Sequence, residues 1–292
     1  MIIAFDGMLG NQLFQYAFFL RIKHRYPEYN VTMDRDYIDK IEMEWPCIER
    51  AFDVEIPYCS SRDRIKSVKT LKYVPSRISS KLGYPKYGAN VLVENEINGR
   101  QIDKEKKINE NSYLLGYWQS ESFFYDAKEE VLEKLRFRRI NDSLNLTTIE
   151  EINDSESVAV HIRRTDYLSL DGMRQYKCLQ NTKYYKNAFD KIFKDSDKCK
   201  VFVFSDDIEW CKKYFIDERF EFRYIGFNTG LDSWKDLYLM SICDKCIIAN
   251  SSFSWWGAYL NEKQDIYVPD YIGEHSIMYP DYYPERWKRI SI

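Results

Sequence analysis

The chain has 292 residues, 45% hydrophobic and 30% charged, enough for one large domain or two of ordinary size. Gly (11) and Pro (8) are scarce, which excludes a low-complexity or collagen-like chain. Acids outnumber Lys and Arg by 46 to 43, so the net charge of −3 excludes a surface built to clamp nucleic acid, and no apolar run reaches the ~18 residues of a spanning helix. Residues 1–5 are apolar, Asp6 interrupts them and no basic segment precedes them, so they read as a first β-strand rather than a secretory signal. The seven Cys are odd in number and suggest no disulfide framework. The expectation is a reducing, cytoplasmic setting. The lone C-x-x-C, Cys243 to Cys246, lacks the second pair of a zinc ribbon and is read as structural.

In chain order, Asn11 is placed to cap a helix to about Arg25, with Leu13, Phe14, Ala17 and Phe18 on one face. Strands are predicted over 29–33 and 114–118, then a helix from about Ser120 with Phe123, Phe124, Ala127, Val131 and Leu135 at helical spacing. The polar, acidic stretch 140–157 is the expected junction between domains 1–150 and 151–292. The second half then alternates regularly: strands over 158–162, 201–204, 222–225, 246–249 and 266–268, and helices over 182–193, 208–215, 232–243 and 252–260. Alternation of this size implies α/β architecture, with a parallel sheet covered on both faces.

In open α/β sheets ligands bind beyond the carboxyl ends of the strands. Three of the predicted strand ends in the second half carry clustered polar groups. These are Arg163-Arg164-Thr165-Asp166, Ser205-Asp206-Asp207 and Asn250-Ser251-Ser252. Helix N-termini with two Arg suit a phosphate-bearing ligand, since exposed N–H groups attract anions and guanidinium forms bidentate contacts. Helix capping explains any one of these clusters but not the adjacent Arg pair. His161, alternating with Val160 and Ile162, fits a structural role as well as a catalytic one. Neither standard phosphate loop occurs. The turn from Gly7 to Gln12, after the first strand, is a second candidate wall of the site.

Two D-x-D triplets occur, Asp34-Arg35-Asp36 and Asp195-Ser196-Asp197, and composition alone gives about two by chance. With three His and no paired ligand spacing, no catalytic metal is expected. One segment departs from the chain's acidic balance. Eight bases (Arg62, Arg64, Lys66, Lys69, Lys72, Arg77, Lys81 and Lys86) stand against the single acid Asp63. Either a solvated helix face or a contact with an anionic membrane surface accounts for it.

Five stretches together make the sequence recognisable. They are His161-Ile162-Arg163-Arg164-Thr165-Asp166-Tyr167, the run from Gly7 to Ala17, Gly116-Tyr117-Trp118-Gln119-Ser120, Phe204-Ser205-Asp206-Asp207 with Trp210, and the run from Ile247 to Ala258. In that combination the chain resembles glycosyltransferase family eleven, the α-1,2-fucosyltransferases. Met8, Thr165 and Lys245 depart from the residues usual in that family, and Lys245 puts in doubt any catalytic role for its position.

The resemblance implies a GT-B fold of two Rossmann-like domains whose parallel sheets face a cleft, the first on the acceptor side and the second on the donor side. It implies GDP-β-L-fucose as donor, a β-galactoside acceptor, inversion at the transferred carbon and no cofactor or metal. By the same resemblance Arg163, and less so Arg164, stabilise the departing diphosphate. Asn250, Ser251 and Ser252 hold it, with His161, Ser205, Asp206, Asp207 and Phe253 completing the donor site and Asp206 facing guanosine. Gly10, Asn11 and Gln12 line the cleft. Asp166 is the nominated base, against an equal reading as a structural bond within its loop. Competing classes are a GDP-sugar-binding or hydrolysing protein and a non-catalytic galactoside-binding module. The aromatic tail (Tyr267, Tyr271, Tyr279, Tyr282, Tyr283 and Trp287) reads as packing rather than acceptor wall.

Overall fold

A computed structural model describes residues 1–36, 38–42, 44–68, 90–94, 108–169, 179, 182–195, 198–261, 265–271 and 280–292. The chain divides into two compact units, Met1–Arg136 and Phe137–Ile292. The division falls before the predicted junction. Phe137 joins the second unit through ring contacts with Trp234 and Tyr238. The polar stretch falls within the second unit, and part of it is helical, as its sequence allows: helix Ser143–Asn153 has its first turn capped by Asp142, which accepts from the Asn145 N–H at 3.0 Å.

In the first unit, strands β1 (Ile2–Ala4), β2 (Thr32–Asp34), β3 (Val91–Val93) and β4 (Tyr113–Leu115) make a parallel sheet in the order β2-β1-β4-β3. Helix α1 (Leu9–Arg25) covers it, and short helices α2 (Ile38–Ile41), α3 (Ile48–Ala51) and α4 (Ser61–Val68) follow β2. The sequence predicts one buried face for α1; the structure buries every residue from Gln12 to Ile22. The reason is that α1 is enclosed by the sheet and by residues 121–134. There, two 3₁₀ turns, Glu121–Phe123 and Tyr125–Ala127, replace the first part of the predicted helix and lead into α5 (Lys128–Lys134). Even Arg21 is drawn in, donating to the Ser122 carbonyl at 3.1 Å and pairing with Asp126 at 2.5 Å.

The second unit holds a six-stranded parallel sheet in the order β10-β9-β8-β5-β6-β7. Its strands are β5 (Ser157–Ile162), β6 (Lys200–Ser205), β7 (Glu221–Ile225), β8 (Lys245–Ile247), β9 (Asp265–Pro269) and β10 (Lys288–Ile290). The helices are α6 (Ser143–Asn153), α7 (Thr165–Ser169), α8 (Tyr184–Asp195), α9 (Ile208–Tyr214), α10 (Trp234–Ile242) and α11 (Ser252–Tyr259). The central strand β5 is buried along its whole length. Its Val158, Val160 and Ile162 share one core cluster with Tyr184, Tyr185, Ala188, Phe189 and Ile192 of α8. In the tail, Trp255 of α11 donates its indole N–H to the Tyr282 carbonyl at 2.8 Å, and Tyr282, Tyr283 and Trp287 are buried.

In the second unit the chain builds outward from β5 through β6 to β7, then returns to the other side of β5 with β8. In the first it adds β2 on one side of β1, crosses to the outer strand β3 and comes back inward to β4, so the two arms of that sheet meet between β1 and β4. These are the positions at which open parallel sheets bind ligands, beyond the carboxyl ends of the flanking strands.

Candidate active site

Residues 163–165 lead out of β5 and are held by the residues that follow β6. The Asp206 carboxylate accepts from the Arg164 N–H (2.9 Å), the Thr165 N–H (3.1 Å) and the Thr165 hydroxyl (2.6 Å). The Arg163 guanidinium Nε lies 3.4 Å from the same carboxylate. Asp206 is therefore a brace for this turn, with its oxygens engaged inside the protein. Asp207 does two things. It caps α9 by accepting from the Trp210 N–H at 3.2 Å, and it pairs with Arg164 Nε at 2.8 Å. The Ser205 hydroxyl accepts from the Asp207 N–H at 3.0 Å. The Arg164 guanidinium carbon also lies over the Trp210 ring, 4.3 Å from its centroid.

The two arginines thus differ in their surroundings. Arg164 is clamped between a carboxylate and an indole, with 19% of its side chain exposed, whereas Arg163 keeps 32% exposure at the mouth of the switch point.

The segment after β8 meets the segment after β5 from the other side of the switch point. The Tyr167 hydroxyl donates to the Asn250 carbonyl at 2.8 Å. The His161 ring, buried within β5, lies 5.7 Å from the Phe253 ring. Asn250 and Ser251 are buried, and Ser252 and Phe253 are half-buried at the start of α11. Ser251 occupies the N-cap position without a side-chain cap bond, and Ser254 instead donates to the Ala249 and Ser251 carbonyls at 3.2 and 3.3 Å. Asp166 lies in α7, directly after the braced turn.

Lys245 opens β8 at its amino end, away from the carboxyl ends where the polar segments gather. Burial opposes its charge, but its ion pair with Glu156, together with nearby Cys199 and Asp265, raises its pKa overall. Its role is structural. Cys246 is buried with its thiol pushed up to about 12, and Asn261 donates to its sulfur, so the C-x-x-C pair belongs to the core.

In the first unit the turn after β1 runs through Gly7, whose φ of +79° is left-handed. A Cβ there would sit 2.7 Å from the Asn11 amide nitrogen. Gly10, Asn11 and Gln12 belong to the first turn of α1 rather than to the glycine turn itself. Asn11 does not cap the helix; its side-chain oxygen accepts from Gln119 Nε2 at 2.7 Å. Gln12 is buried, donating to the Gly7 carbonyl (3.0 Å) and accepting from the Ile48 N–H (2.9 Å). Gln15, which the motif also contains, bonds to the Asp6 backbone N–H (3.0 Å) and the Gly116 carbonyl (3.0 Å). This links the two stretches of sequence that flank the first sheet's switch point. Burial pushes the Asp6 carboxyl above its usual range.

The remaining candidates divide. Asp34 and Asp36 both pair with Arg64, and Asp34 also accepts from the Tyr113 hydroxyl at 2.8 Å, so this D-x-D is engaged within the fold. Arg64 is correspondingly removed from the eight-base segment, of which Lys69, Lys72, Arg77, Lys81 and Lys86 lie outside the described residues. Among the described residues no helix is long and apolar enough to cross a membrane. Sequence reasoning assigned no task to Trp210 or Tyr167; the first sits three residues after the capping Asp207, a spacing that the motif already contained.

The family model for glycosyl transferase family 11 matches residues 93–290. An α-1,2-colitosyltransferase of Escherichia coli is 36% identical over 182 residues, which cover 61% of this chain and 62% of the relative's length. The O-antigen biosynthesis glycosyltransferase WbnK of Escherichia coli is 27% identical over 281 residues, 89% of this chain and 90% of the relative. The fold is shared with the fucosyltransferase NodZ from Bradyrhizobium, at a TM-score of 0.50 and 13% identity over 89% of this chain and 91% of that one. Both sheets are parallel and both units Rossmann-like, as the GT-B class requires. With the family model extending across the greater part of the sequence, including every polar segment around β5, the chain belongs to glycosyl transferase family 11.

Proposed function

We propose that the chain moves L-fucose from GDP-β-L-fucose to the 2-hydroxyl of a terminal β-galactoside, with inversion, in the synthesis of a surface polysaccharide. The observation that supports this best is the braced Arg163 at the switch point of the second sheet, opposite the start of α11. As the bond between fucose C1 and the phosphate oxygen breaks, negative charge collects on the diphosphate. A guanidinium already oriented by Asp206, together with the N–H groups of the α11 start, stabilises that charge without reorganising at the moment of reaction. The galactose 2-hydroxyl attacks C1 from the opposite face, and in this reading its proton passes to the Asp166 carboxylate. Arg164, held by Asp207 and Trp210, keeps the turn in register and adds positive potential behind Arg163.

The colitosyltransferase relative makes the donor sugar the point to test, because colitose is fucose without its 3-hydroxyl. GDP release is measured with GDP-fucose and with GDP-colitose, each with and without lactose. Release from GDP-fucose that needs lactose is the expected result. Release without lactose means a hydrolase, none with either donor means a binding module, and preference for GDP-colitose replaces fucose as the sugar moved.

A further inference from the structure

Tyr167 closes the motif that begins at His161, and its hydroxyl donates to the Asn250 carbonyl, 83 residues away, at 2.8 Å. Asn250 lies in the segment 248–251 that joins β8 to α11. Side-chain hydroxyls reach every carbonyl of that segment. The Tyr184 hydroxyl lies between the Ile248 carbonyl (2.8 Å) and the Tyr267 carbonyl of β9 (2.9 Å). The Ser254 hydroxyl spans the Ala249 and Ser251 carbonyls at 3.2 and 3.3 Å. Three side chains, from α7, α8 and α11, thus fix four successive carbonyls. Water could satisfy the carbonyls of an exposed loop, whereas Tyr184 and Ser254 are fully buried and make this a built frame.

Peptide geometry gives the frame a consequence. The described peptide bonds are trans, and in a trans peptide the C=O of one residue and the N–H of the next point in opposite directions. A hydroxyl that fixes a carbonyl therefore also directs the following N–H away from itself. Tyr167 turns the Ser251 N–H away from α7, and Ser254 does the same for the N–H groups of Asn250 and Ser252. Ser251 adds a second observation. It is only 8% exposed and sits at the N-cap of α11, yet its hydroxyl makes no cap bond. A cap bond would occupy an N–H of the first helical turn, and here that bond is not made.

Resting on the glycosyl-transfer reading, we propose that Tyr167 is a positioning residue of the donor site, whose hydroxyl holds the peptide plane between Asn250 and Ser251 so that the Ser251 N–H meets the diphosphate. Tyr184 and Ser254 hold the planes on either side. The working part of Tyr167 is its phenol oxygen rather than the packing of its ring, because only the oxygen reaches the Asn250 carbonyl.

The test compares wild type with Tyr167→Phe, Ser254→Ala and Tyr224→Phe. The last removes a hydroxyl-to-carbonyl bond of the same length in the same unit, from Tyr224 to Phe215 at 2.8 Å. GDP affinity is measured by calorimetry, the surroundings of the bound diphosphate by the ³¹P NMR signals of GDP, and folding by Tm. Tyr167→Phe is expected to weaken GDP binding about five- to tenfold and to shift the bound ³¹P signals, with Tm within a few degrees of wild type. Ser254→Ala changes both GDP readouts in the same direction and carries the test should Tyr167→Phe not fold. Tyr224→Phe matches wild type in both. GDP affinity within twofold of wild type and unmoved ³¹P signals in Tyr167→Phe overturn the positioning role, as does an equal loss in Tyr224→Phe. The two readings fail differently. A wild type that binds GDP no better than Tyr167→Phe does removes the task of Tyr167 and leaves the transfer reading standing, whereas a wild type that binds no GDP overturns both.

Discussion

Replacing Asp206 by Ala removes an acceptor that holds three donors of the turn after β5, at 2.9, 3.1 and 2.6 Å, and faces Arg163 at 3.4 Å. Buried, such a set would cost several kcal/mol, but the Arg164 and Thr165 N–H groups border solvent and water substitutes for much of the loss. About 1–2 kcal/mol of global stability is the appropriate scale, a few degrees in Tm. The catalytic cost is larger, because the turn no longer fixes the guanidinium, and a misplacement of about 1 Å costs up to about 10²-fold. Asp206→Ala should therefore lower kcat about 10- to 100-fold, with a small change in Tm and a smaller change in KM for GDP-fucose. Asp206→Asn keeps one carbonyl oxygen to accept the Thr165 donors and should fall between the two. Steady-state kinetics at saturating lactose, paired with thermal unfolding, distinguish the effects. A kcat within twofold of wild type would refute the brace, as would a loss of Tm large enough to account for the lost activity by unfolding.

Four further outcomes are expected. Arg163→Ala should lower kcat about 10²–10³-fold in a folded protein, and Arg163→Lys should also be poor because an ammonium cannot form the bidentate fork; near-normal kinetics in either would remove Arg163 from the diphosphate. Transfer should continue in EDTA, and complete loss restored by Mn²⁺ or Mg²⁺ would reveal a metal site. Burial raises the Asp236 carboxyl to about 7, with only Asn228 donating against that trend, so the folded state binds its proton more tightly than the unfolded state does. The stability penalty is full above pH 7 and fades toward pH 4. Asp236→Asn should therefore raise Tm at pH 8 and converge with wild type near pH 4; a pH-independent gap contradicts this. Finally, the basic segment should bind anionic vesicles in a salt-sensitive way that is lost when Lys66, Lys69 and Lys72 become Glu, and equal recovery with neutral vesicles would eliminate membrane contact.

The second sheet was legible because apolar runs alternate regularly with helical stretches, and three of those runs end in polar clusters whose order needs no tertiary knowledge. The three-residue strands β3 and β10 were not, since Val91–Val93 and Lys288–Ile290 are too short to show alternation. The placement of Asn11 failed for a different reason. Its partner, Gln119, lies 108 residues away, and a residue that looks like a cap is in fact a tertiary acceptor inside the helix. The same limit applies to Asp206, whose donors are 41 and 42 residues distant. The polar motif thus marks these residues as a cluster but not which of its members face inward. That division of labour is set by partners that local sequence does not contain.

The unequal length of the strands has a thermodynamic consequence. Among the described residues of the first unit each strand pairs over at most three residues, whereas β5 and β6 share a register of six. Cooperative opening should therefore begin in the first unit, with its amides exchanging with deuterium while those of β5 and β6 remain protected. If GDP engages only the second unit, it raises the upper of two calorimetric transitions and leaves the lower one in place, because ligand stabilises only the fold it binds. Heating the protein with and without GDP then reads out which half owns the nucleotide, without any turnover at all.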